Sequence, residues 1–194
     1  YIDINTANGI LQFGQDAKMD EGKKAQLLAQ AKFLRAFCYF YLVTTFGDVP
    51  LHLTFNTNVE AADTRVPIAE VYDAIIKDLQ DAAAVLPNQP AAGLGKPAYK
   101  ATALYLLAKT YLWRGWSAAA KGSDFTDAFN TAKSIIDNKG VYGLDLWPSF
   151  AQGFLEGNEY GRETIMVIDH SKDLKFGENS QTGTGATNLK ENKS

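Results

Sequence analysis

The sequence predicts an all-α, mainly helical fold, and three observations carry that prediction. Apolar residues recur at helical spacing in four long stretches, 24–45, 67–86, 98–114 and 124–138. Helix punctuation bounds them: Gly47 with Pro50, then Pro67, Pro87, Pro97 and Gly140. Only residues 164–169, TIMVID, read as a strand, being short and rich in β-branched side chains.

Residues 1–13 carry Ile2, Ala7, Ile10 and Leu11 in a weakly helical pattern, suited to the end of a longer helix. A calcium loop here would need oxygen ligands at alternate positions and a glycine at the sixth. Asp3 and Asn5 supply the first two, but Ala7 stands where the third belongs and Asn8 where the glycine belongs. Residues 14–24 form a polar connector to the central helix, whose core is AKFLRAFCYFYLVTTFGDVPL.

At ~100° per residue, Leu27, Ala31, Leu34, Cys38, Tyr41 and Leu42 share one face of that helix, and Phe33, Phe37 and Phe40 a second. The one long polar strip is Lys32, Arg35 and Tyr39. A helix apolar on two sides is expected between neighbours rather than on a surface. Arg35 interrupts it, so a carboxylate or backbone carbonyls should satisfy the guanidinium, with Tyr39 one turn on. Gly47 suits a left-handed cap, Asp48 a hydrogen-bonding turn, and Pro50 stops the helix from resuming.

Residues 51–64 are rich in Asn and Thr without a period, hence a long loop or edge segment. Pro67 then opens the clearest amphipathic helix, with Tyr72, Ile75, Ile76, Leu79, Ala83 and Leu86 in one stripe and Asp73, Lys77 and Asp81 outside it. The connector 89–96, QPAAGLGK, has the glycines and lysine of a phosphate loop, but Pro97 replaces the required Ser or Thr and no strand precedes. In the next helix Leu104, Leu107, Ala108 and Tyr111 form one face, while Leu106 and Trp113 point the other way, which predicts burial on two sides. Asp124 is placed to cap the fourth helix, with Ala128, Ala132, Ile135 and Ile136 as its stripe. From Val141 onward Tyr142, Leu144, Trp147, Phe150 and Phe154 are spaced as loops or short helical turns.

Residues 33–42 and 103–112 align at a spacing of 70, both ending in Tyr-Leu with a small residue three before the tyrosine, Cys38 and Ala108. Tetratricopeptide repeats use such residues to let paired helices approach, and twice their period of ~34 is close to this spacing. The architecture expected is therefore a degenerate tetratricopeptide-like helical-repeat scaffold with long loops and little strand. One helical domain should cover 1–173. Residues 174–194, mostly Gly, Thr, Asn and Lys, should form a loose tail.

The totals narrow the function. A net charge of −3 offers no basic footprint for nucleic acid. The single cysteine excludes an internal disulfide, and Cys38 reads as an inert buried thiol. No run approaches the ~20 apolar residues of a membrane span. The chain starts without Met, signal peptide or lipidation cysteine, and with two-sided apolar helices it reads as a fragment that should expose apolar surface.

Catalytic parts are scarce. His52 and His170 stand 118 positions apart, short of the clustered ligands a zinc site needs. No G-x-S-x-G elbow occurs. Most of the 22 acidic residues fall on polar helix faces, where solvated charge is their ordinary role. No catalytic residue, metal or cofactor is therefore assigned. Aromatic residues make up 12%, a share that suits sugar binding, because the apolar C–H faces of a pyranose stack on flat rings. Trp116, Trp147 and Tyr160, in or beside loops, are the ligand-binding candidates. The competing reading is that they fill the core between helices.

Three blocks, AKFLRAFCYFYLVTTFGDVPL, VYDAIIKDLQDAAAVLP and KATALYLLAKTYLWRG, resemble in order and spacing the SusD/RagB family, over roughly residues 8–168. The resemblance implies a tetratricopeptide-like helical fold and a non-enzymatic role in binding oligosaccharide or polysaccharide. It also implies a lipid anchor at the outer-membrane surface and delivery of glycan to a SusC-like TonB-dependent transporter. Set against that pattern, the anchor, further N-terminal chain and the C-terminal half are absent from this sequence. The family's sugar-contacting loops match no motif here, so none of its site residues is carried over. The alternative is a helical-repeat protein-interaction scaffold with no sugar ligand.

Overall fold

The computed structural model describes residues 1–57, 64–90 and 97–167. Among them five α-helices follow one another: α1 Ile2–Phe13, α2 Glu21–Phe46, α3 Ile68–Val85, α4 Lys100–Gly115 and α5 Asp124–Asp137. Each packs on the next with opposite direction. Lys32 and Arg35 of α2 meet Asp81 and Asp78 of α3, so the contacts run down one helix as they run up the other. Gln80 with Tyr111 and Asp73 with Arg114 set the same sense between α3 and α4. This succession of antiparallel hairpins is the helical scaffold the sequence predicts, and no strand occurs among the described residues.

Local chemistry sets the boundaries. The Asp20 carboxylate accepts the Lys23 N–H at 2.9 Å and caps α2. At the other end Gly47 takes φ +72°, a region costly for residues with a Cβ, while its N–H closes on the Val43 carbonyl at 3.0 Å. The turn that follows also starts the next helix, since Asp48 accepts the Ile68 N–H at 3.0 Å. An antiparallel bridge between Val49 and Val66 closes the base of the intervening loop.

The main core lies where α2, α3 and α4 meet. Phe33, Ala36, Phe40 and Val43 interlock with Val71, Ile75 and Leu79, and with Ala103 and Leu106. Burying each large side chain there contributes about 1.5–3 kcal/mol. A smaller cluster of Tyr99, Ala101, Ile135 and Tyr142 seats the chain after α5 against the start of α4.

The faces of α2 differ from the sequence expectation. Leu27, Leu34 and Tyr41, expected in the core, are half-exposed, at 48, 52 and 50%. Arg35 and Tyr39, expected on the polar strip, are buried, at 8 and 1%. Helical spacing ranks side chains by their own polarity and cannot see a partner on another helix. Asp78, at the matching height of α3, makes burial of Arg35 possible. On α4, Leu106 is buried but Trp113 lies exposed, so that helix is not covered on both sides. Asp124 begins α5 rather than capping it, because its carboxylate is drawn back onto Arg114 and the Lys121 N–H.

The strand expected at 164–169 is absent over 164–167, where the chain instead accepts a bond from Thr102 Oγ1 at the Ile165 carbonyl and packs Met166 on the core. Residues 168 and 169, His170, the GLGK motif and the expected tail at 174–194 lie outside the described residues.

Candidate functional site

The polar side chains inside the helices are engaged with one another. Arg35 donates from Nε and one terminal nitrogen to the two Asp78 oxygens, at 2.7 and 2.8 Å. Its other terminal nitrogen donates to Asn8 Oδ1 at 2.8 Å and the Leu53 carbonyl at 3.0 Å. The Asn8 amide donates to the carbonyls of His52 and Thr54, and Asn5 exchanges two bonds with the backbone of Asn56. Tyr39 bonds both backbone groups of His52, and burial pushes its phenol up to about 12. Asn5 and Asn8 thus hold the 52–56 loop onto α1 and α2, with Arg35 at the centre.

A second network joins three helices. Arg114, buried on α4, donates to Asp124 of α5 at 3.0 and 2.6 Å and to Asp73 of α3 at 2.8 Å. Burial opposes ionisation of Asp124, but bonds from Arg114 and the Lys121 N–H outweigh it and hold the pKa below its ordinary value. Both guanidiniums donate to acceptors within the protein.

The aromatic candidates separate into two groups. Trp116 follows α4 and is 76% exposed, touching the edge of Phe125 at 5.3 Å between centroids. Trp147 and Tyr160 belong to the loops that begin at Tyr142, which docks beside Tyr99 at the opposite end of α4. Sixteen residues of helix place those ends about 24 Å apart.

Trp147 is partly buried in its loop. Its backbone N–H donates to a Glu163 carboxylate oxygen at 3.0 Å, the Arg162 guanidinium lies 5.9 Å from its ring, and Gly161 packs so closely on the indole that a Cβ there would collide. Tyr160, next to Gly161, is 42% exposed. Trp116 thus offers an open ring and Trp147 a braced one.

An open groove that the sequence did not suggest lies near the Trp116 end. It has a volume of about 510 Å³ and is formed by the ends of α2 and α4 with the start of α3. Tyr41 and Trp113, both assigned to the core from sequence, line it from α2 and α4. Their aromatic character was the available signal, but periodicity sent them inward. Among the described residues no three His, Cys, Asp or Glu side chains are placed to hold a metal ion, and no helix is long and apolar enough to cross a membrane.

Comparison with known proteins matches residues 1–112 to a family described as SusD-like, starch-binding and associating with the outer membrane. A SusD-like protein, P2, of Formosa agariphila is 35% identical over 191 residues, spanning 95% of this chain and 34% of its own length. Among solved structures, a laminarin-binding SusD-like protein superposes with a TM-score of 0.76 at 27% identity, covering 87% of this chain and 36% of that one. Another, solved with a xylogluco-oligosaccharide, gives 0.74 at 25% identity, covering 87% and 34%. The chain spans about a third of the length of the relatives it matches. With the family match extending from α1 into α4 and the fold shared over nearly all the chain, this protein belongs to the SusD-like family.

Proposed function

We propose that the protein to which this chain contributes binds an oligosaccharide or polysaccharide at the outer-membrane surface without cleaving it. It passes that glycan to a SusC-like TonB-dependent transporter and is held at the membrane by a lipid anchor. The observation that carries this reading is the family match over residues 1–112, whose description is of starch binding at the outer membrane. The names of two solved relatives, one laminarin-binding and one with a xylogluco-oligosaccharide, support glycan as the ligand class. Exposed aromatic rings supply the stacking surfaces such a ligand uses, and Trp116, Trp147 and Tyr160 remain the residues proposed for contact.

Affinity is expected to be micromolar or weaker, a binding free energy of about −8 kcal/mol or smaller in magnitude, because a capture protein must release its cargo. Calorimetry of the full chain against soluble starch, laminarin and xyloglucan oligosaccharides tests the reading, with chromatography of the recovered glycan to detect cleavage. Saturable binding and intact glycan are expected. Failure of every glycan to bind favours the protein-interaction scaffold, a reading supported by the half-exposed Leu34 and Tyr41 on α2. Trp116→Ala, Trp147→Ala and Tyr160→Ala then show whether each ring contributes.

A further inference from the structure

We infer that the groove between the C-terminal ends of α2 and α4 is a saccharide subsite, with Trp113 as its stacking platform and Lys109 as its hydrogen-bond donor. This rests on the glycan-binding reading above and names a place for one neutral pyranose unit.

The size of the groove and the chemistry of its lining carry it. The volume of about 510 Å³ falls within the roughly 300–1,000 Å³ of small-ligand pockets. Trp113 is 43% exposed, and its indole N–H has no hydrogen-bond partner among the described residues, so the side chain offers both an apolar face and a donor. Lys109 is half-buried beside it. Its ammonium lies 5.4 Å from the Phe40 ring and has no carboxylate partner among the described residues. An ammonium held against an aromatic wall keeps its donors for acceptors that enter the groove.

Of the other polar lining, the Tyr41 and Tyr72 hydroxyls can donate or accept, whereas two aliphatic hydroxyls have their protons engaged. Thr44 spends its hydroxyl proton on the Phe40 carbonyl at 2.7 Å and presents lone pairs. Ser117 likewise donates to the Arg114 carbonyl at 2.8 Å. The last carbonyls of α2 lack helical partners, as at any helix C-terminus. A sugar's vicinal hydroxyls both donate and accept, so they match a lining that mixes hydroxyl oxygens, an indole N–H and an ammonium. Gly47 lies on the rim at φ +72°, a backbone conformation that favours glycine over residues with a Cβ.

The test is calorimetry of the full chain with soluble starch, laminarin and xyloglucan oligosaccharides, read beside methyl NMR of Ile68 and Val43, which line the same groove. A glycan that binds should shift those methyl signals saturably. Trp113→Ala should weaken it about tenfold, and Trp113→Phe should retain most of the affinity. Lys109→Met, on a partly exposed position that leaves the core intact, should weaken it about threefold or more. Binding with unshifted Ile68 and Val43 methyls, or undiminished affinity in folded Trp113→Ala and Lys109→Met, overturns the groove and leaves glycan binding standing. Absence of binding by every glycan overturns both.

Discussion

The Asp48 carboxylate accepts the Ile68 N–H at 3.0 Å, so the turn that ends α2 also caps the beginning of α3 across a loop of 19 intervening positions. Pro67, just before α3, provides no side-chain cap of its own. The FGDVPL sequence therefore acts at two helix ends. Gly47 closes one, Asp48 opens the next, and Val49 bridges to Val66 between them.

Asp48→Ala should lower stability by about 1 kcal/mol, the ordinary worth of an N-terminal cap. Asp48→Asn, which keeps an accepting oxygen, should recover most of it. Urea unfolding of the three proteins under one condition measures both.

Removing one partner of the Arg35–Asp78 pair should cost far more. Arg35→Met leaves Asp78 buried and unpaired, and Asp78→Asn leaves Arg35 so, each lowering stability by about 3–5 kcal/mol. Replacing both by apolar side chains should restore much of that loss, because neither buried charge is then orphaned. Chemical denaturation of the double-mutant cycle gives the coupling. Arg35 variants should also loosen the 52–56 loop, and faster amide exchange there reports it.

Asp124 makes the Arg114 network pH-dependent. A carboxylate whose pKa drops on folding adds stability above its ordinary value of 3.8, and loses it as pH falls through the lower folded value. Stability should therefore decline on acidification below about pH 4. Asp124→Asn should be destabilised on the order of 3 kcal/mol at neutral pH, with a shallower decline in acid. Thermal unfolding between pH 7 and 3 compares the slopes. A parallel decline in both proteins would assign the acid sensitivity to other carboxylates.

Tyr99 presents the opposite case. Its ring is fully buried, its hydroxyl has no partner among the described residues, and burial pushes its pKa up to about 12. Deleting an unsatisfied buried hydroxyl removes a desolvation cost, so Tyr99→Phe should be neutral or stabilising by up to about 1–2 kcal/mol. A higher denaturation midpoint with an unchanged slope is the expected result. Tyr39→Phe should destabilise, since that hydroxyl holds His52 by two backbone bonds.

The sequence by itself determined the helices and their order, because apolar spacing and cap residues are local properties. Residues 24–45 and 124–138 were legible as helices from Gly47, Gly140 and the stripes between breakers, and the structure extends or trims them by a few positions. The need of Arg35 for a carboxylate was also legible, since a guanidinium in an apolar helix demands one. The choice of Asp78 was not, because 43 residues separate the two and only the α2–α3 packing sets them at one height. The same long-range pairing buried Arg35 and Tyr39 and left Leu34 and Tyr41 outside, reversing an order read from polarity alone. Trp116, Trp147 and Tyr160 could be chosen as aromatic residues near loops, but their distribution between two ends of α4 is a property of the bundle. The groove at Trp113 depends on where three helix ends converge, and a linear pattern of residues does not encode that convergence in any one segment.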